Sequence, residues 1–244
     1  HRDLHSFPTR RSSDLLGEYR VQTTRGHLDL GVQNKYGELR LGAFAGQLRA
    51  EEDFGVFRAA PNYDIGQVGY EASATFDQVD RPRFPREGFL AWLKAYGTVE
   101  TDDPDGNYSK AEIFALGAKT WGSHTLQLAG YYGDTYRGSA PAYDPFLLGG
   151  FLRGSGYLMD ELLGESAALA RVAYYNRLAA LPNPLGSGIY AGGSREATRA
   201  SLGSPLGLRK TRPSASLFVG ADTFLGPIFI AFGQALSGAK ESTF

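Results

Sequence analysis

Cysteine is absent from this chain of 244 residues, methionine occurs only once, and no long apolar run is present. A helix that spans a membrane needs roughly 18–20 consecutive apolar residues, so a helical membrane protein is excluded. The lack of cysteine is compatible with an oxidising envelope compartment, because a fold there can do without disulfides. The formal net charge of −1 offers no basic surface, and no nucleic-acid partner is expected.

Glycine and aromatic residues are abundant by contrast. The chain has 32 glycines, well above the usual share of roughly 7%, and 13% of its residues are aromatic. Its mean hydropathy is −0.27. A transmembrane β-barrel places apolar residues at every second position, so its mean hydropathy resembles that of a soluble protein. The composition therefore leaves a membrane barrel and a soluble β domain open.

The first fifteen residues, HRDLHSFPTRRSSDL, differ in composition from the rest of the chain. They are basic, rich in serine and without hydrophobic period, and the same string results from translating one frame of a common short-read sequencing adapter. We therefore predict two parts, a non-native adapter-like segment at 1–15 and a barrel segment at 16–244. A tag, a transit peptide or a disordered arm is the alternative. If the segment is non-native, the authentic sequence starts near Leu16 and what preceded it is missing.

The remainder alternates with a period of two in segments of about ten residues, which favours β-strands. Leu28, Leu30 and Val32 fall on one face, and Asp29 and Gln33 fall on the other. The same alternation recurs in Leu39–Ala45, Val68–Phe76, Leu90–Tyr96, Ile113–Ala115, Leu126–Gly130, Ile189–Gly193, Ala215–Phe224 and Ile228–Ala235. About ten strands are predicted in this way.

The linkers between these strands alternate between short turns and long polar loops. Short turns on one rim and long loops on the other are typical of a bacterial outer-membrane barrel. We therefore predict an all-β fold, an antiparallel transmembrane β-barrel that is incomplete. The short linkers are Gly122–Thr125, Pro182–Gly186 and Leu225–Pro227, and the long ones are Ala50–Asp64, Thr101–Tyr108, Tyr136–Asp160 and Thr198–Arg212.

One segment, Glu161–Leu181, is compatible with two structures. Its alanine and leucine content favours an amphipathic helix. Against this, Gly164 interrupts the helical pattern, and Val172 and Leu178 share one face of a strand. We predict a strand from about Glu165 to Leu178, and the helix stays open as the alternative.

Three stretches together resemble the bacterial surface antigen superfamily of outer-membrane barrels. Ala74–Phe89 resembles its strand–turn–strand with the pattern Asp-x-x-Asp and Phe-Pro-x-x-Gly. Tyr143–Glu165 resembles its long sixth loop, which folds back into the lumen, and Ser214–Ala235 resembles its last complete hairpin. The resemblance implies a sixteen-stranded barrel in the outer membrane, of which this chain would supply strands six to fifteen. The following strand would only begin at Glu241–Phe244, and such a piece is not expected to insert alone, because open sheet edges do not survive in lipid.

The amino-acid sequence of the sixth loop most resembles that of barrels that follow a patatin-like phospholipase domain in the same chain. Gly149-Gly150 is followed by Phe-Leu-Arg and then by Ser155-Gly156-Tyr157. This resemblance implies a barrel that anchors a missing N-terminal phospholipase domain of the same chain and is a candidate to translocate it by type V secretion. The alternatives are an outer-membrane protein assembly factor or two-partner secretion transporter, and a soluble all-β binding module. Outer-membrane lipid and the barrel assembly machinery are the other expected partners.

The family resemblance also suggests how the sixth loop is held. In assembly factors a loop arginine pairs with acidic groups on the inner wall, and that position falls on Ser155 here, two residues after Arg153. The acidic positions match Glu196 and Asp222, the latter in Gly220-Ala221-Asp222. We therefore hypothesise a lock between Arg153 and either Asp222 or Glu196, with Gly156 and Tyr157 beside it. The alternative is a loop-tip arginine in water and an aspartate that caps a turn.

A second motif in the resemblance is the turn Phe84-Pro85-Arg86 with Gly88. We interpret it as a rigid periplasmic turn rather than a recognition motif.

Patterns that would indicate catalysis or a bound cofactor are not found. A nucleophile elbow requires Gly-x-Ser-x-Gly, and Ser155 in Arg-Gly-Ser-Gly-Tyr does not satisfy it. Outside the first fifteen residues the only histidines are His27 and His124. Thr101–Asn107 lacks the spacing and the closing glutamate of a calcium loop. We expect no catalytic residue, cofactor or metal site in this chain.

Overall fold

The structure is a computed structural model and describes residues 2–11, 14–55, 63–82, 84–102, 106–141, 143–182, 184–201 and 210–236. Every regular element in these residues is a β-strand. The strands are β1 (Arg2–Arg11), β2 (Asp14–Asn34), β3 (Gly37–Gly55), β4 (Tyr63–Asp77), β5 (Gly88–Thr101), β6 (Ser109–Trp121), β7 (His124–Arg137), β8 (Phe146–Leu148), β9 (Leu162–Gly164), β10 (Ser166–Ala179), β11 (Gly186–Ser201), β12 (Arg212–Thr223) and β13 (Gly226–Ala235).

Eleven of the strands form one antiparallel sheet in which neighbours in sequence are neighbours in space. The single exception is β10, which pairs with β7 because the chain between them leaves the sheet, as far as it is described, over residues 138–141 and 143–165. We call residues 138–165 the inner loop. It contains β8 and β9, which form a small two-stranded sheet of their own.

The predicted architecture is confirmed in its main features. Apart from β1, six strands of the large sheet precede the inner loop and four follow it, which makes the ten that the alternation predicted. β10 is a strand from Ser166 to Ala179, so the helical alternative for this region is wrong. Ala167, Leu169 and Tyr175 are buried on one side of it and Val172 is exposed on the other. Burial of alternate residues therefore outweighs the helix propensity of the alanines.

Two predictions concern the ends of the chain. Arg2–Arg11 pairs along β2, from Arg2 opposite Thr24 to Arg11 opposite Asp14. Backbone pairing does not test whether these residues are native, so the adapter-like origin stays a prediction. The strand expected to begin at Glu241–Phe244 lies outside the described residues.

The outer face of the sheet is mainly apolar, and Arg195 and Arg199 on β11 are exposed cations on it. Leu28, Leu30 and Ile230 are each about four-fifths exposed to solvent, at 78%, 80% and 79%. Soluble monomers rarely expose a continuous apolar surface of this kind. The soluble all-β alternative required a polar outer face, so the structure disagrees with it. Other exposed apolar residues of this face are Val32, Leu39, Leu41, Phe76, Phe89, Leu93, Ile113, Leu128, Val172, Leu178, Leu217, Val219, Ile228 and Phe232.

The sheet curves around the inner loop. Residues 78–87, which connect β4 to β5, bring Phe84 against Tyr190 on β11 and Phe229 on β13, several strands away in the sheet. Within the described residues β1 and β13 each have one neighbour, so the curved sheet is an incomplete barrel. No helix in the described parts of the chain combines the length and hydropathy needed to cross a bilayer.

Candidate functional site

The tip of the inner loop is a series of tight turns that depend on glycine. The Gly149 nitrogen donates to the Arg153 carbonyl at 2.9 Å, and the Tyr157 nitrogen donates to the Gly154 carbonyl at 3.1 Å. Gly154 and Gly156 have φ angles of 122° and 94°, which residues with a side chain rarely adopt. The repeated glycines let the chain fold into a compact tip.

Glu196 on β11 receives this tip. Its side chain is only 4% exposed. One carboxylate oxygen accepts hydrogen bonds from the backbone nitrogens of Gly154 at 2.7 Å and Ser155 at 2.6 Å. The other oxygen accepts from the Ser155 hydroxyl at 2.8 Å. Hydrogen bonds to an ionised carboxylate are about twice as strong as neutral ones, so Glu196 is the principal anchor of the loop tip.

Serines on the wall complete the surroundings of Glu196. The Ser194 hydroxyl donates to it at 2.5 Å, and the Ser214 hydroxyl donates at 3.4 Å. Ser194 also contacts the Ser216 hydroxyl at 2.7 Å. A buried carboxylate requires such partners, since burying the ion without them would cost several kcal/mol of desolvation. This ring of hydroxyls allows the charge to be buried behind the loop.

Arg171 on β10 supplies the opposite charge. It lies directly opposite Glu196 in the strand register. Its guanidinium donates to the Leu152 carbonyl of the loop tip at 2.8 Å and to the Gln127 side chain at 2.7 Å. The strands thus bind the loop backbone through both a negative and a positive side chain. Glu196 accepts hydrogen bonds from backbone N–H groups of the loop, and Arg171 donates one to a backbone carbonyl of the loop. We call Ser155, Glu196 and Arg171 the loop lock.

The hypothesised Arg153 lock is wrong. Arg153 is exposed and donates to the Leu147 carbonyl at 2.9 Å, within the loop itself. Asp222 accepts from the Ser187 hydroxyl at 2.5 Å, near the opposite end of β12 from Ser214. The reason is that the turn at the tip buries Ser155 and turns Arg153 away, so the partner of Glu196 is a serine and the backbone.

The other predicted lock residues contribute packing rather than an ion pair. A Cβ added to Gly156 would lie 2.2 Å from the Ala235 nitrogen, so the tip touches the β13 backbone there. Tyr157 packs against the buried cluster that includes Phe146 and Leu169. A Cβ on Gly220 would lie 2.8 Å from the Phe84 ring. Gly220 therefore makes room for the turn motif.

The turn motif lies between β4 and β5 and inserts its phenylalanine into the curved sheet. Phe84 is 2% exposed and stacks on Tyr190 with ring centroids 4.4 Å apart. The Tyr175 hydroxyl donates to the Pro85 carbonyl. Gly88 has a φ of 110°, and a Cβ there would meet the Gln78 carbonyl oxygen at 2.0 Å. The turn is therefore an internal packing element, which the sequence interpretation as a periplasmic turn did not foresee.

Phe151 connects this turn to the inner loop. It lies in the loop tip and packs against Phe218 and Phe229, at centroid distances of 5.5 Å and 5.2 Å. Phe229 also stacks on Phe84 at 5.0 Å. The loop that starts at one rim and the turn from the opposite rim thus meet in one aromatic cluster.

Comparison with known proteins supports the fold. No family model matches the sequence, and no curated protein matches it. Among solved structures, the crystal structure of BamA from Haemophilus ducreyi lacking POTRA domains 1–3 superposes with a TM-score of 0.75 over 97% of this chain, at 11% sequence identity. The two chains share one fold. The match covers 54% of the BamA chain, so the present chain spans about half its length.

A second attachment holds the inner loop near its start. The Asp144 carboxylate accepts from the Tyr108 hydroxyl and pairs with the Lys110 ammonium. That ammonium also lies 5.1 Å from the centre of the Phe146 ring. Burial, and next the nearby Asp144 charge, raise the pKa of Tyr108, so its phenol stays protonated and serves as the donor. The inner loop is thus fixed both at its root and at its tip.

Sequence reasoning missed Arg171, Phe151 and the serines around Glu196. One signal could have found Arg171, because it shares the inward register of Leu169 and Tyr175 on a strand whose other face is apolar. An arginine inside a barrel requires partners. The position of its partners, on a loop and on two neighbouring strands, follows only from the fold.

Proposed function

We propose that this chain is the lipid-embedded wall of a bacterial outer-membrane barrel of the surface antigen type, with the inner loop held inside it. The observation that carries the proposal is the apolar outer face, on which Leu30 is 80% and Phe232 is 71% exposed. Such a face matches hydrocarbon, and the inner face carries the polar residues, as in outer-membrane barrels. The BamA-like fold is consistent with this location.

The experiment compares two substitutions to lysine, one on the lipid-facing side of the sheet and one on the inner side. Both are made in the full-length protein that the complete gene encodes. Leu30→Lys is expected to cost about 2–4 kcal/mol at the bilayer midplane and to reduce the heat-modifiable, folded form in outer-membrane fractions. Gln33→Lys is the matched control and should fold as the parent does, because Gln33 is an exposed residue on the inner face of the same strand and lies opposite Glu38. Equal effects of the two substitutions, or recovery of the parent protein in the soluble fraction, would contradict the proposal.

The finer function is to anchor an N-terminal patatin-like phospholipase domain and to bring it to the membrane. The support is the amino-acid sequence of the inner loop, in which Ser155 occupies the position that is an arginine in assembly factors. Ser155 also binds Glu196 directly, so the loop is held without that arginine. In this function the chemistry belongs to the other domain, and the chain described here supplies attachment and a fixed loop.

A second function is folding or translocating other proteins, as a barrel assembly factor or two-partner secretion transporter. The likeness to BamA favours it. Recovery of the complete gene from the original sample by long-read sequencing separates the two. A Gly-x-Ser-x-Gly motif followed by Asp-Gly upstream supports the phospholipase, and its serine should be required for phospholipid hydrolysis by the outer-membrane fraction. Periplasmic repeats alone upstream would overturn that function in favour of transport or assembly.

A further inference from the structure

Three side chains that can bind a metal converge on the inner face, away from the loop lock. They are His27 and Asp29 on β2 and Glu71 on β4. One ligand atom from each lies within 4.8 Å of the others. The Nδ1 atom of His27 and the Oε1 atom of Glu71 are 3.1 Å apart. The two atoms form a hydrogen bond. Two ligands of a tetrahedral zinc ion are separated by about 3.4 Å, so an ion that replaces the shared proton needs little movement of either side chain.

The strand between them is built to let the three side chains meet. Gly42 on β3 lies opposite Asp29 on one side and opposite Glu71 on the other. Residues two strands apart are about 10 Å apart along the sheet, so their side chains must lean over the residue between them. A Cβ on Gly42 would lie only 1.9 Å from the Asp29 Oδ1 atom. The carboxylate therefore occupies the space that any other residue would fill.

In the part of the chain that the structure describes, no lysine or arginine forms an ion pair with Asp29 or Glu71. Among the described residues, Asp29 has no hydrogen-bond or ion-pair partner, and Glu71 pairs with His27. Four basic residues line the same cavity of about 720 Å³, namely Arg25, Arg40, Lys94 and Lys110. The Arg25 guanidinium donates to the side chains of Gln67 and Tyr96, and Lys110 pairs with Asp144. Arg40 pairs with Glu38, and the Lys94 ammonium lies 4.9 Å from the centre of the Trp92 ring. Two carboxylates so close together favour a bound cation.

We propose that His27, Asp29 and Glu71 bind a divalent metal ion of borderline softness, of the zinc class, on the inner face. An imidazole nitrogen selects zinc-like ions over calcium or magnesium, which prefer oxygen ligands alone. Three protein ligands leave a fourth position for water. The side chains of His27 and Glu71 are 27% and 40% exposed, so the ion can enter from solvent. A bound ion would link β2 to β4 across β3.

The test is equilibrium dialysis of the complete chain, folded in detergent micelles, against zinc and against calcium, with the bound metal measured by mass spectrometry. One zinc ion per chain is expected. His27→Gln, Asp29→Asn and Glu71→Gln should each weaken zinc binding by more than about tenfold. His124→Gln removes the other histidine outside the first fifteen residues and should leave zinc binding unchanged.

Two glycine variants test the geometry separately from the ligands. Gly42→Ala is expected to displace Asp29 and weaken zinc binding, although it removes no ligand. Gly130→Ala is the matched control, because its nearest neighbour would be 3.9 Å from the new Cβ. Heat-modifiable migration confirms folding of each variant. Absence of bound zinc in the folded parent, zinc binding that survives all three ligand substitutions, or stoichiometric calcium with no zinc would each overturn the proposal.

Discussion

The carboxylate of Glu196 lies 2.6 Å from the backbone nitrogen of Ser155, although the two residues are 41 positions apart in the chain. This contact fixes the tip of the inner loop against β11. It differs from the expected ion pair because the loop contributes mainly backbone N–H groups and the wall contributes both charges, on Glu196 and Arg171.

The loop lock should depend on the charge of Glu196. Glu196→Gln keeps the shape of the side chain but replaces one acceptor by a donor, so the N–H groups of Gly154 and Ser155 lose a charged acceptor. We expect these two amides to exchange with deuterium at least tenfold faster, and the free energy of unfolding to fall by about 1.5–3 kcal/mol. Glu100→Gln, at an exposed position, is the control. Unchanged exchange in Glu196→Gln would show that the carboxylate does not hold the loop tip.

Arg171 and Arg153 should differ sharply in their contribution to stability. Arg171→Met removes the donor to the Leu152 carbonyl and leaves Glu196 without its opposite charge, and a loss of about 3 kcal/mol is expected. Arg153→Met should change stability by less than about 0.5 kcal/mol, because Arg153 is exposed. Urea unfolding in micelles, followed by tryptophan fluorescence, measures both.

The same measurement tests the discarded pairing. Exchanging the charges of Arg153 and Asp222 together should give no rescue relative to the single changes. A rescue would show that Arg153 and Asp222 do form the ion pair that the sequence suggested.

Phe84 should be worth more to stability than a phenylalanine on the outer face. Phe84→Ala leaves a cavity between Tyr190 and Phe229 and is expected to cost about 3–5 kcal/mol. Phe76→Ala removes the same atoms from a residue that is 42% exposed on the outer face, where detergent or lipid fills the space. Urea unfolding distinguishes them, and equal losses would mean that Phe84 is not packed inside.

Gly156 should be irreplaceable because of its surroundings rather than its φ angle alone. Gly156→Ala places a Cβ 2.2 Å from the Ala235 nitrogen and should push the loop tip off β13. Gly150→Ala is the control, because Gly150 lies in the same loop with a positive φ, of 87°, but the nearest atom to its Cβ would be 3.5 Å away, at an ordinary contact distance. Limited proteolysis of the inner loop is expected to be faster only in Gly156→Ala. Equal cleavage in both variants would show that backbone strain, not packing, governs the site.

The sequence by itself determined the strands and their outer face. A period of two places Leu28 and Leu30 on one side of β2 whatever the strand pairs with, because successive side chains of a strand point to opposite faces. The same rule identified β10 as a strand despite its alanines. The repeated short and long linkers gave the antiparallel order, which the structure confirms.

Only the tertiary structure decided which inward residues meet. The curvature of the sheet brings Phe84 against Tyr190, and the fold of the loop tip brings Ser155 rather than Arg153 to Glu196. Asp29 and Glu71 converge because strand register places Gly42 between them. These contacts join residues that are distant in sequence, and they depend on curvature, register and backbone turns, none of which a local pattern of side chains specifies.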